Sequence, residues 1–356
     1  MEVLTNYQEI LDKIERIDPK TYASTRNYRD GAVSMLSPYV SRGVISTKVI
    51  YQSLQKRGFH YKTALKFIQE LAWRDYFQQV WCAKGDELFR DLKNEQQNVK
   101  HHGIPEAVLN ASTGILAVDK AIEELYNTGY MHNHMRMYVA SICCNYAGCH
   151  WLKPAKWLYY HLLDGDLASN HLSWQWVSGA FSSKKYFASQ GNIERFFPEG
   201  QNQSFMDNPE IEIPVLENIS SFQPTDLVFP QSDYVPENKQ TLVYNYYNLD
   251  PRWHKADEFQ RILLLEPSLF HKYPIKQKML DFTLEISQNI PDLKIFVGEF
   301  SALQSHVDSH NLRYKEHPLN THYFGVEEAR DWLGTTTGYF PSFFKFWNKL
   351  HKTMNG

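Results

Sequence analysis

The sequence predicts a mainly helical protein with a smaller α/β region at its C-terminal end, and three observations make that prediction. From Leu36 to about Phe197, apolar residues recur at intervals of three and four, as in FIQELAWRDYFQQVW and GILAVDKAIEELY. This is the spacing of a buried helix face. Residues 200–240 lose any sustained period and carry Pro209, Pro214, Pro224, Pro230 and Pro236, the composition of a linker with a short strand or two. Beyond them, RILLLEP (261–267), PIKQKMLDFTLEISQNI (274–290) and LKIFVGEF (293–300) read as strand, helix and strand. That succession implies a parallel βαβ unit. The expected division is a helical domain over 1–199, a Pro-rich linker over 200–240 and a small α/β domain over 241–356.

Within the helical part, Ser37 followed by Pro38 is an N-cap and first-turn signal. Asp119 through Tyr126 to His132 continues a helical pattern that Gly129 breaks. Met137 to Leu152 is an uncharged stretch containing Asn145, His150 and three cysteines, and it reads as a buried helix too polar to span a bilayer. The opening MEVLTNYQEILDKIERIDPK is charged throughout, so neither a secretory nor a transit signal is expected, and the chain reads as cytoplasmic and without membrane contact.

Composition sets further bounds. Aromatic residues are abundant, with 22 Tyr, 21 Phe and 9 Trp, which suits either a flat ligand or a core rich in large side chains. The four cysteines (Cys82, Cys143, Cys144 and Cys149) lack the paired spacing of a zinc or iron–sulfur site and read as small core residues. The net charge of -3 hides an excess of positive charge in the first 200 residues, too small by itself to establish a phosphate-rich partner.

Four short segments concentrate chemistry. In FIQELAWRDYF, Glu70, Trp73 and Arg74 lie at i, i+3 and i+4, so one helix face carries a carboxylate, an indole and a guanidinium. Such a face either binds something planar and polar or is a solvated ion pair beside a half-buried Trp. In GYMHNHMRMYVAS, Asn133, Arg136 and Met137 share a face in the same way, whereas His132 and His134 diverge and do not form a metal site. LLDGDLASNHLSWQWV places Asp164, Asp166, Asn170, Trp174 and Trp176 in an apolar neighbourhood. On a helix, residues two apart point to different sides, so one Trp of the pair should face inward and the other a cavity. In GAVSMLSPYVSRG, Ser34 and Ser37 precede a helix start, where backbone N–H groups favour an anion.

These blocks, in this order, resemble the all-helical FAD-binding module of the photolyase/cryptochrome family. The resemblance runs through Tyr22, SMLSPYVSRGVIS, ELAWRDYF, TGYMHNHMRM, Trp151 and DGDLASNHLSWQWV, over roughly residues 20–197. It implies a photolyase-type FAD-binding domain followed by the βαβ-containing domain. Tyr22, Ser34, Leu36 and Ser37 would hold the FAD diphosphate, and Arg74 and Arg136 would neighbour the flavin. Asp164 and Asp166 would contact its ribityl and ring atoms, and Asn170 would face N5. An amide there adds no negative charge beside a reduced, anionic flavin.

The implied reaction is light-driven electron donation from reduced FAD to a cyclobutane pyrimidine dimer flipped out of UV-damaged DNA. Glu70 would hydrogen-bond the dimer, Trp73 and Trp176 would clamp it, and Asn133 and Met137 would complete the pocket. Trp174 and Trp151 match the first two members of an electron-transfer chain. The alternative within the family is a cryptochrome-like blue-light photoreceptor that signals through a protein partner.

Several positions depart from the family pattern. Val33 replaces a usual Thr, Tyr130 a common Trp, and His134 a common Arg. No Trp stands near Asn98, where the outer member of the electron chain is expected, which leaves Tyr146 as an alternative exit. The α/β domain that normally leads the helical module is not at its usual place, and the 241–356 region reads as its relocated or truncated counterpart. Whether that region holds an antenna pigment is not legible in the residues.

Overall fold

The computed structural model describes residues 3–198, 206, 212–219, 227–232 and 234–354. The chain forms two compact units that interleave along the sequence: 18–33 with 84–223, and 2–17 with 34–83 and 224–356. The division expected from the sequence follows chain order; the compact units group 34–83 with the C-terminal sheet.

The first unit is helical. Its helices include Pro19–Thr25, Leu116–Thr128, Asn133–Ser141, Leu152–His161, Leu167–Ser178 and Gln190–Phe196. Val118, Ile122 and Leu125 sit at i, i+4 and i+7 of one of them and are buried, so burial of this stripe stabilises the helix more than its propensity does. Gly129 ends that helix and Gly179 ends Leu167–Ser178, both in the left-handed conformation (φ 78° and 89°) that spares glycine a Cβ clash. Two short strands, β1 (Ile104–Pro105) and β2 (Val215–Leu216), pair antiparallel. The second of them lies in the expected linker.

The expected single helix over Met137–Leu152 is replaced by three pieces. The α-helix ends at Ser141, a π-helical turn spans Ile142–Tyr146, and Gly148 (φ 68°) redirects the chain before Leu152. The Ala147 amide donating to the Ile142 carbonyl at 2.9 Å closes the wide turn. Cys143, Cys144 and Cys149 are buried as core residues, whereas Cys82 is exposed.

The second unit carries a five-stranded, all-parallel sheet. Its strands are β3 (Thr241–Tyr244), β4 (Gln260–Leu265), β5 (Lys294–Val297), β6 (Leu312–Lys315) and β7 (Val326–Glu328). The spatial order is β5-β4-β3-β6-β7. The chain therefore winds outward from β3 to β5, returns to the other side of β3, and continues to β7, the order of a doubly wound fold. Every residue of β4 is buried, which is why QRILLL shows no alternation. The helix Gln277–Ser287 links β4 to β5, and Leu263 pairs with Ile295 in the parallel register expected from the sequence. Helices Tyr7–Glu15, Ser37–Ser41, Thr47–Lys56, Tyr61–Lys84 (up to Ala83) and Phe343–Met354 belong to the same unit. Ser37 is not the cap of its helix: Leu36 occupies that position, and Ser37 is the first helical residue. Among the described residues no helix is long and apolar enough to cross a membrane.

Candidate functional site

In the first unit, a buried polar cluster forms where the helix Leu167–Ser178 begins. Asp166 is its N-cap, and the carboxylate accepts from the Ser169 amide at 2.7 Å. Asp164 precedes it in a turn, so the two carboxylates are separated by loop geometry and not by helical rotation, contrary to the expectation for this stretch. Gly165 between them explains the difference, because an Asp–Gly pair favours a turn over helix propagation. Nη2 of Arg136 donates to both oxygens of Asp164 at 3.0 Å, while its Nε donates to the Met131 carbonyl at 2.8 Å. Asn170 follows one turn after Asp166, and its Nδ2 donates to the Ala155 carbonyl at 2.8 Å. That bond fixes the amide and leaves Oδ1 as its remaining acceptor.

Asp164, Asp166 and Asn170 are all buried, a costly placement for polar groups that need partners. The Ser169 hydroxyl is also sequestered, with no hydrogen-bond partner among the described residues. Polar side chains held ready in an apolar wall fit a ligand that presents hydroxyls and ring N–H groups, as the ribityl chain and isoalloxazine of FAD do. Burial shapes the titration of the surroundings: the Tyr130 phenol is pushed up to about 12 and the His132 imidazole down to about 4. His132 caps the helix Asn133–Ser141 by accepting from the His134 amide at 3.1 Å. Asn133 is exposed and Met137 half-buried on that helix, and Tyr22 lies half-buried on Pro19–Thr25.

The tryptophans divide as their spacing implies. Trp174 is 2% exposed and Trp176 is 38% exposed, the latter lying 5.9 Å from the Tyr186 ring. Trp151 is fully buried in the same apolar cluster as Trp174. Its indole Nε1 donates to Oδ1 of Asp91 at 2.6 Å. Sequence reasoning missed Asp91, because RDLKNEQQNV is a polar, aperiodic stretch with no spacing signal.

The second unit holds Ser34, Leu36, Ser37, Glu70, Trp73 and Arg74. Glu70, Trp73 and Arg74 share one helix as expected. Glu70 pairs with Lys66 at 3.1 Å, and Arg74 Nη2 donates to the Ser41 hydroxyl at 2.8 Å. The Trp73 ring stacks on Phe343, with centroids 3.7 Å apart and planes at 7°. One face of this expected lesion clamp is therefore covered within its own unit. Leu36 is buried.

The protein-family model described as the FAD binding domain of DNA photolyase matches residues 67–210. A deoxyribodipyrimidine photo-lyase of Streptomyces griseus is 32% identical over 162 residues, covering 43% of this chain and 35% of that protein. The chloroplastic/mitochondrial cryptochrome DASH of Arabidopsis thaliana is 30% identical over 200 residues, covering 52% of this chain and 35% of that protein. The crystal structure of a cryptochrome from Synechocystis sp. PCC6803 superposes with a TM-score of 0.50 at 28% identity, covering 56% of this chain and 45% of that one. The chain thus spans well under two thirds of the length of these relatives.

The fold and site define a flavin-binding helical module joined to a doubly wound α/β region. That module is similar to the FAD-binding domain of the photolyase/cryptochrome family.

Proposed function

We propose that this protein binds FAD and uses blue light to repair cyclobutane pyrimidine dimers in DNA. The observation that carries the reading is the buried cluster of Arg136, Asp164, Asp166 and Asn170 within the segment matched to the FAD-binding family. When bound, FAD supplies light-driven one-electron transfer. Arg136 neutralises Asp164 and keeps a cation beside the flavin ring. Asn170, held by the Ala155 carbonyl, offers its amide oxygen to a ring N–H without adding charge. Trp176, the exposed member of its pair, and the outward Asn133 supply contacts to a flipped base, with Met137 beside them. By resemblance to the family, Glu70 and Trp73 are assigned to the lesion, Tyr22, Ser34, Leu36 and Ser37 to the diphosphate, and Arg74 to the flavin. The doubly wound sheet supports reading the C-terminal region as a counterpart of the family's α/β domain.

The test is restoration of a defined thymine-dimer oligonucleotide by the reduced, FAD-loaded protein under blue light. Absence of restoration at full FAD occupancy transfers the assignment to a photoreceptor that signals through a protein partner. The coverage of Trp73 by Phe343 is the specific feature that favours this second reading.

A further inference from the structure

The indole N–H of Trp151 is the donor of a short, charge-assisted hydrogen bond inside the protein. Its acceptor, Asp91, is held in place from several sides. Oδ2 accepts from the Gln96 amide at 2.8 Å, and Gln96 in turn accepts from the Trp151 amide at 3.0 Å and donates to the Cys149 carbonyl at 2.8 Å. His150 Nε2 lies 3.4 Å from the same Asp91 oxygen that the indole contacts, and the His150 and His102 rings stack at 5.6 Å. Trp151 is fully buried, whereas the Asp91 side chain is 20% exposed, so the pair runs from the core toward solvent.

We propose that Asp91 is the proton acceptor for Trp151: when the tryptophan loses one electron, its Nε1–H proton passes to Asp91 Oδ1 and a neutral tryptophan radical remains. This rests on the proposed FAD photochemistry and on the electron-transfer role that the family resemblance implies for Trp151. The electron leaves to a one-electron photo-oxidant, for which light-excited oxidised flavin serves in the photoreduction that would precede repair. The N–H bond breaks, an O–H bond forms on Asp91, and both changes reverse when the radical is reduced.

The physical reason is the environment. Neutral indole is a donor that keeps its proton, but removing an electron from the ring makes that N–H strongly acidic. A tryptophan cation beside a carboxylate in an apolar core is a buried ion pair, with a large desolvation penalty that a neutral radical beside a protonated acid avoids. The 2.6 Å contact provides the path without any rearrangement. His150 accepts from the Leu152 amide through Nδ1 at 3.3 Å, so its neutral ring turns an Nε2–H toward Asp91, and burial keeps the imidazole below its usual value. The arrangement also accounts for an electron chain with no tryptophan near Asn98: deprotonation holds the oxidising equivalent at Trp151.

Flavin-free protein, photo-oxidised with tris(bipyridine)ruthenium and persulfate and then frozen, tests this by electron paramagnetic resonance independently of repair. The wild-type spectrum minus that of Trp151→Phe should contain a neutral tryptophan radical. Asp91→Asn, which preserves shape but removes the base, should replace it with a protonated radical carrying an exchangeable N–H coupling. A neutral radical at wild-type yield in Asp91→Asn, or no difference in Trp151→Phe, overturns the proposal. Should Asp91→Asn fail to fold, the wild-type protein still decides: appearance of the neutral radical must slow in deuterium oxide, and an unchanged rate overturns it. Failure of dimer repair alongside a neutral Trp151 radical would defeat the repair reading alone.

Discussion

The indole of Trp73 lies flat against the phenyl ring of Phe343, 3.7 Å between centroids and 7° from parallel. Phe343 also meets Tyr76 edge-on at 5.9 Å, so it is a keystone of the aromatic packing in its unit. Phe343→Ala should lower stability by about 3 kcal/mol and uncover the second face of Trp73. Under the repair reading, the variant, held well below its melting temperature, should bind a thymine-dimer oligonucleotide more tightly than the wild type. Equal affinities would remove Trp73 from the lesion contacts.

Arg136 and Asp164 form a pair in which the carboxylate is buried and the guanidinium partly so. Replacing Arg136 takes this ion pair away from a buried carboxylate. Arg136→Leu is expected to cost about 3 kcal/mol in urea unfolding and to abolish the flavin absorbance of protein reconstituted with FAD. Retention of a full complement of FAD would show that this ion pair is structural only.

Two tryptophans two residues apart give an internal contrast. Trp174→Ala should destabilise by about 4 kcal/mol because it empties a fully buried site. Trp176→Ala should cost less than about 1 kcal/mol, since the ring is already partly in water. The second variant should nonetheless lose affinity for UV-irradiated DNA in a gel-shift titration, and a change in neither stability nor binding would leave Trp176 without a role.

Asp75 in the second unit gives a pH signature. Its carboxyl is pushed up to about 6 by burial, although the Leu333 amide donates to it at 2.6 Å and Thr47 Oγ1 at 2.8 Å. The native state therefore holds this proton more tightly than the unfolded chain, whose value is 3.8. The stabilisation is complete below that unfolded value and is lost as pH rises through about 6. Its size is on the order of 3 kcal/mol. Asp75→Asn can keep both hydrogen bonds and should flatten the decline; a wild-type slope in the variant would place its origin elsewhere.

Asn170→Asp places a second negative charge beside the expected flavin. The reduced anionic state should reoxidise faster than in the wild type, as followed by absorbance in air. Identical spectra and reoxidation rates would show that this side chain does not face the ring.

Local patterns in the sequence carried the parts of the fold that are locally determined. RILLLEP and LKIFVGEF are dense in β-branched and large apolar residues, so β4, β5 and the helix between them were legible. By contrast, the β6 and β7 segments mix apolar with charged side chains, and β3 (TLVY) is a four-residue run directly after the polar, aperiodic stretch. Their strand character comes from parallel neighbours distant in sequence. The cluster around Asp166 was legible as residue types, but its geometry depends on the turn at Gly165. The π-helical turn at Ile142–Tyr146 has no periodic signature, and Asp91 becomes visible only once the fold sets it under the Trp151 indole.

Neither unit is encoded by an uninterrupted stretch of chain. During synthesis, residues 2–17 and 34–83 leave the ribosome long before β3 to β7, the sheet of their own unit, has been made. The early amphipathic helix Tyr7–Glu15 must wait, solvated or chaperoned, for partners that are translated last. A nonsense mutation after residue 223 would consequently leave more than the sheet missing: it would also orphan the helix that bears Glu70, Trp73 and Arg74.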